Sequence, residues 1–94
     1  MVATFGDRRT ERFANGQRVQ AFSGIERTAE RRLRELLAAR SLNDLGGVPG
    51  LRLERLKGDR NGQWSIRIND QWRICFVWDA SLSRACAIEI ADYN

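Results

Sequence analysis

The chain has 94 residues, 43% hydrophobic and 30% charged, with a net charge of +4 and a pI near 10.0. That supplies one hydrophobic core and not two, so residues 1–94 read as a single domain whose charge favours an acidic partner, nucleic acid or protein. The chain has no histidine and two cysteines, which excludes histidine acid–base catalysis and argues against a structural zinc site. No apolar run nears the roughly 18 residues that span a membrane, and the charged residues 1–12 lack a signal-peptide core. The cytoplasm is the expected location, with Cys75 and Cys86 as reduced thiols.

In chain order, residues 1–5 fit a short strand. Asp7 is placed to cap a helix running to Ala14, which Asn15-Gly16 stops. Ser23 and Glu26 then have the spacing of a capping box, and Ile25, Ala29, Leu33, Leu36 and Leu37 recur on one face of a helix. Arg27, Arg31 and Arg34 fall mainly on its other faces, as a solvated surface diluted by Glu30 and Glu35. Residues 41–49 read as a turn-rich connection.

The second half is strand-rich, so the pattern is α+β. Residues 51–57 form the expected first strand of a sheet, and 58–62 a turn. Residues 63–69 alternate, with Trp64, Ile66 and Ile68 on one face and Ser65 and Arg67 on the other. Residues 72–78 alternate likewise, with Trp72, Ile74, Phe76 and Trp78 opposing Arg73, Cys75 and Val77. Residues 79–83 turn the chain, and 84–91 form the last strand. The tryptophans lie on apolar faces, so core packing is expected of Trp64 and Trp72 rather than base stacking.

Register carries the argument further. A two-residue loop at Asn69-Asp70 would set Ile66 against Arg73 and mix core with polar positions. A loop of residues 69–71 pairs Ile68 with Trp72, Ile66 with Ile74 and Trp64 with Phe76, and places Arg67 opposite Arg73. Two like charges face to face are destabilising unless an anion lies between them, which points to a phosphate-binding face. Lys57 is the only lysine, the other fifteen basic residues being arginine. It reads either as a position needing a compact ammonium or as the survivor of drift toward arginine. Asp59 suits the turn chemistry.

The run Leu56-Lys57-Gly58-Asp59-Arg60, then Gly62-x-Trp64-Ser65-Ile66-Arg67, Trp72-Arg73-Ile74 and the closing Asp92-Tyr93, resembles the HigB-type toxins of the RelE/ParE superfamily, the plasmid maintenance system killer proteins. The resemblance covers nearly the whole chain. It implies a small RelE-like α+β fold, with a curved, antiparallel-rich sheet packed on two N-terminal helices. It also implies an endoribonuclease that cleaves mRNA in the ribosomal A site without a metal or other cofactor, the RNA 2′-hydroxyl attacking the adjacent phosphate. By the same resemblance Lys57, Arg67 and Arg73 contact or neutralise the phosphate, and Asp92 and Tyr93 form a C-terminal catalytic pair. Glu54, Arg55 and Arg60 are assigned to RNA contact. Asn94 stands where such toxins commonly end in histidine, and Glu54 where many carry one before the Leu-Lys-Gly motif. Asparagine does not shuttle protons near neutral pH. The implied partners are a HigA-like helix-turn-helix antitoxin, expected on the helical half around residues 23–40, and the ribosome with its mRNA. The toxin alone is expected to be monomeric, with no membrane role. The alternatives are a ParE-like gyrase inhibitor and a catalytically inactive toxin that still binds ribosome or antitoxin.

Overall fold

The computed structural model describes residues 4–92. Asp7 opens the first helix, α1 (Arg8–Ala14), its carboxylate accepting from the Thr10 amide at 3.0 Å, as the sequence predicts. The chain leaves α1 through Gly16, whose φ of +89° suits a residue without a Cβ. A 3₁₀ turn at Gln20–Phe22 leads into α2 (Glu26–Ala38). The expected capping box forms by half. Ser23 stays in the preceding turn, where its amide donates to the Gln20 carbonyl, and Ile25 takes the N-cap position. Glu26 still reaches back, accepting from the Gly24 amide at 2.8 Å. The left-handed Gly24, φ +92°, lets the chain turn there.

The 41–49 connection holds an unexpected helix, α3 (Leu42–Gly46). Ser41 Oγ accepts from the Asp44 amide at 3.3 Å, and Asp44 Oδ2 accepts from the Arg40 amide at 2.9 Å. These two side chains brace a single turn that ends in Gly46 and Gly47.

Four strands follow, β1 (Glu54–Arg55), β2 (Trp64–Arg67), β3 (Trp72–Asp79) and β4 (Arg84–Asp92), antiparallel in that order across one sheet. The first strand is far shorter than the expected 51–57. Arg52 has a φ of +52°, which breaks the extended path, although the Leu51 carbonyl still accepts from the Arg67 amide at 2.7 Å. The hairpin has the core-compatible register: Trp64 pairs with Phe76, Ile66 with Ile74 and Arg67 with Arg73. Its tip closes as the three-residue loop requires, the Ile68 amide donating to the Trp72 carbonyl at 3.0 Å. The Asn69 carboxamide accepts from the Gln71 and Trp72 amides, both at 2.8 Å.

A bulge interrupts the β3–β4 pairing between Cys75–Glu89 and Val77–Cys86, with Ala87 at φ +51°. There Ile88 bridges in parallel to Phe5, and its carbonyl accepts from the Gly6 amide at 2.7 Å. The early strand survives as this bridge, while residues 1–3 of it lie outside the described residues.

Ile66, Ile74, Phe76 and Ile90 are fully buried on the inner face of the sheet, with Phe13, Phe22, Leu33 and Leu36 of the helical half in the same core. Burying each such side chain contributes about 1.5–3 kcal/mol before entropy is counted. Trp64, Trp72 and Trp78 pack partly buried against this core, and Trp72 meets Phe22 edge-on at 5.7 Å. Buried Thr10 ties α1 to the sheet, its hydroxyl accepting from the Ile90 amide at 2.9 Å. Two positions on α2 depart from the amphipathic pattern. Arg32 is buried and paired with Glu35 at 2.8 Å, while Leu37, expected in the core, is 47% exposed. The helices cover the inner face of the sheet, which leaves its outer face for polar groups.

Candidate active site

The outer face is built by alternation. Ser65 on β2 lies opposite Glu54 on one side and Cys75 on the other, and Arg67 lies opposite Arg73, so these five side chains share one surface. Among them Cys75 joins Leu56 and Ala91 in a small buried cluster separate from the main core. That cluster gives the polar face a packed floor.

Arg73 is the best-held group on it. Its Nε donates to Ser65 Oγ at 2.9 Å, and Nη2 donates to the Arg52 carbonyl at 3.1 Å and to Glu54 Oε1 at 3.2 Å. The side chain is only 16% exposed, while Glu54 is 56% exposed. Ser65 is fully buried and orients the guanidinium. Arg67 pairs instead with Asp70 of the hairpin loop. The sequence argument that Arg67 and Arg73 need an anion between them is therefore corrected: Asp70 and Glu54 neutralise them one each. The register was right, but a carboxylate 19 residues from Arg73 relieves part of the repulsion.

The remaining residues divide. Arg60, in the 3₁₀ turn Gly58–Arg60, makes a two-pronged pair with Glu89 at 3.2 and 3.3 Å and donates to Gln63 at 3.2 Å. These contacts pin the turn to the outer side of β4. Lys57 caps that turn by position, is exposed, and makes no ion pair among the described residues. Arg55 pairs across from Trp64, which puts it in register with the inner face; its guanidinium lies 5.9 Å from the Trp64 ring. Asp92 pairs across from Trp72 and accepts from Gln71 Nε2 at 3.0 Å, so the register sets it on the side away from Arg73. The fold thus gathers Glu54, Arg67 and Arg73 and does not bring Arg55 or Asp92 to them. Tyr93 and Asn94 lie outside the described residues.

Sequence reasoning missed Ser65 as the anchor of Arg73 and Glu89 as the anchor of Arg60. A hint was present, since a small hydroxyl next to Arg67 on the polar side of an alternating strand, and diagonal to Arg73, is placed to hydrogen-bond. Chemically, the face offers a fixed guanidinium of the kind that binds a phosphate oxygen, a second arginine beside it, and an accessible carboxylate.

Comparisons with known proteins bear on the family and the fold. A family described as the RelE-like toxin of the type II toxin-antitoxin system HigB matches residues 3–90. Toxin HigB-1 of Vibrio cholerae serotype O1 is 38% identical over 80 residues, 83% of this chain and 84% of that protein. Among solved structures, the YoeB-YefM complex from Staphylococcus aureus superposes with a TM-score of 0.59 at 24% identity, covering 100% of this chain and 97% of the matched one, which supports the fold. With the family matched over nearly its whole length, this chain belongs to the HigB-like, RelE-like toxins of type II toxin–antitoxin systems.

Proposed function

We propose that this toxin is a ribosome-dependent endoribonuclease acting on mRNA in the cytoplasm. The observation that carries this reading is Arg73, held by Ser65, the Arg52 carbonyl and Glu54 on an otherwise open face. A guanidinium fixed in advance stabilises developing phosphate charge without reorganising as the reaction proceeds. The scissile phosphate meets the Arg73 guanidinium, with Arg67 beside it and Lys57 at the neighbouring turn. The RNA 2′-hydroxyl attacks phosphorus and gives its proton to Glu54, the carboxylate already against Arg73. The bond to the 5′-oxygen breaks, leaving a 2′,3′-cyclic phosphate and a 5′-hydroxyl, with Tyr93 the sequence-based donor of the second proton. This assignment moves Glu54 from RNA contact to proton acceptor, a role that needs no histidine.

The domain is small and its cationic face shallow, so positioning the message falls to the ribosome. The family, and the solved neighbour's own complex with YefM, support a cognate antitoxin as partner, and a HigA-like helix-turn-helix protein is the reading carried here. The test is cleavage mapping with purified toxin. Message in a translating mixture is expected to be cut to cyclic-phosphate and 5′-hydroxyl ends, with naked RNA left largely intact. Equal cleavage of naked RNA would make the protein a general nuclease, and no cleavage with stalled DNA gyrase would favour the ParE-like alternative.

A further inference from the structure

The helical side of the molecule carries two features that the cleavage site does not use. The first is a groove of about 250 Å³ between α1 and α2, walled by Phe13, Ala14 and Gly16 on one side and by Glu30, Leu33, Arg34 and Leu37 on the other. Leu37 projects there at 47% exposure; besides it, only Leu82 is an exposed large hydrophobic among the described residues. The second is a stripe of arginines. Arg27, Arg31 and Arg34 are spaced i, i+4, i+7 and therefore stack on one face of α2, where with Thr28 they line a shallow depression. All three are exposed, and among the described residues none of them makes an ion pair. Arg34 borders both features, so groove and stripe form one continuous surface.

We infer that this surface is the docking site of an acidic, apolar-bearing segment of the antitoxin, whose leucine-like side chains enter the groove beside Leu37 and whose carboxylates meet Arg27, Arg31 and Arg34. The inference rests on the toxin–antitoxin reading and gives it a place. Charge complementarity identifies the occupant. Three adjacent guanidiniums that form no ion pair, with Glu30 as the acidic neighbour at the groove wall, keep the surface net positive and attract a polyanion, and both an acidic peptide and an RNA backbone qualify on that ground alone. The apolar groove separates them, because phosphates gain nothing from Phe13 and Leu37 while an amphipathic segment uses both halves of the surface. The site lies on the helical side, across the sheet from Arg73. An antitoxin seated there leaves the cleavage face uncovered.

The experiment uses the full toxin and the antitoxin encoded by the adjacent reading frame, with hydrogen exchange and a binding titration. Protection is expected at residues 13–16 and 27–37. Arg31→Glu with Arg34→Glu is expected to weaken the complex at least tenfold, and Leu37→Ser several-fold, with mRNA cleavage in a translating mixture unchanged. Leu37 is exposed and the arginines solvated, so circular dichroism of each variant separates lost binding from lost folding. Protection confined to Glu54, Arg67 and Arg73 would overturn the docking site while leaving the pairing intact. Absence of any complex would overturn the pairing as well. Ribosome or RNA binding that falls with Arg31→Glu/Arg34→Glu while antitoxin affinity holds would reassign the stripe to RNA. Cleavage is read separately, so failure of the nuclease mechanism and failure of this surface give different results.

Discussion

Arg73 and Arg31 occupy regular elements of the same small protein and are used in opposite ways. Arg73 sits on a sheet, mostly covered, with three acceptors around its guanidinium. Arg31 sits on a helix, exposed, with neighbours of its own sign and no carboxylate partner among the described residues. A guanidinium held by its surroundings has lost its rotamer entropy before a ligand arrives, and it offers one geometry. A free one keeps that entropy and offers reach and charge. The first arrangement suits a reacting phosphate, which must be met at one place; the second suits a binding surface, which has to accommodate whatever segment lands on it.

The strongest way to break this contrast is to remove the held member. Arg73→Ala is expected to lower cleavage by about 10²–10³-fold, the usual effect of losing one preorganised charge-stabilising donor. It is also expected to cost stability, about 1–3 kcal/mol, because the fully buried Ser65 hydroxyl loses its partner. The like-charge pairing with Arg67, taken from the sequence by itself, would imply the reverse, a neutral or stabilising change. Arg73→Lys keeps the charge and loses the fork, and is expected to fall between. Cleavage assays and thermal melts of the two variants check both halves; full activity in Arg73→Ala would remove the site from this face.

Glu54→Gln sharpens the same side. It preserves the shape and a hydrogen-bond acceptor for Arg73 while removing the proton acceptor. Cleavage is expected to drop about 10²-fold or more, with binding to the ribosome undiminished because a negative charge has left the phosphate site. Single-turnover cleavage alongside ribosome sedimentation separates the two, and an unchanged cleavage rate would move the base elsewhere.

On the free side, Arg31→Glu with Arg34→Glu is expected to shift unfolding free energy by only about 0.5 kcal/mol, as for surface residues without partners. A chemical denaturation curve measures it. A loss of several kcal/mol would show that the stripe is held after all.

The smallest effect lies in the β3–β4 turn. Asp79 has its pKa pulled below the ordinary aspartate value, first by the Ser81 hydroxyl, which donates at 2.7 Å, against an opposing cost of burial, and then by the Leu82 and Ser81 amides and the charge of Arg84. A depressed folded pKa means the contribution is complete above the unfolded value and lost as pH falls through the folded one. Asp79→Asn is therefore expected to be slightly less stable than the parent at neutral pH, with the gap closing below about pH 4. Urea unfolding at pH 7 and pH 3 reads the difference; a gap that widens in acid would contradict the assigned cause.

Local chemistry was legible from the residues alone. Asp7 three residues before Thr10 announced its cap, and the period-2 alternation through Trp64, Ile66, Ile74 and Phe76 left one hairpin register that buries them together. Such patterns are readable because they depend on neighbours and on a strict period, where a one-residue slip would turn every core side chain outward. The motif from Leu56 to Ile74 also pointed to the family before any coordinates. What only the tertiary structure decided was how the charges are shared. Glu54 reaches Arg73 across 19 residues and Glu89 reaches Arg60 across 29. Leu37 falls beside a groove, not in the core, because α1 stops at Ala14 and leaves that flank open. No periodicity encodes which long side chain meets which partner once strands from distant segments align, and in this protein those meetings separate the arginines that are held from those left free.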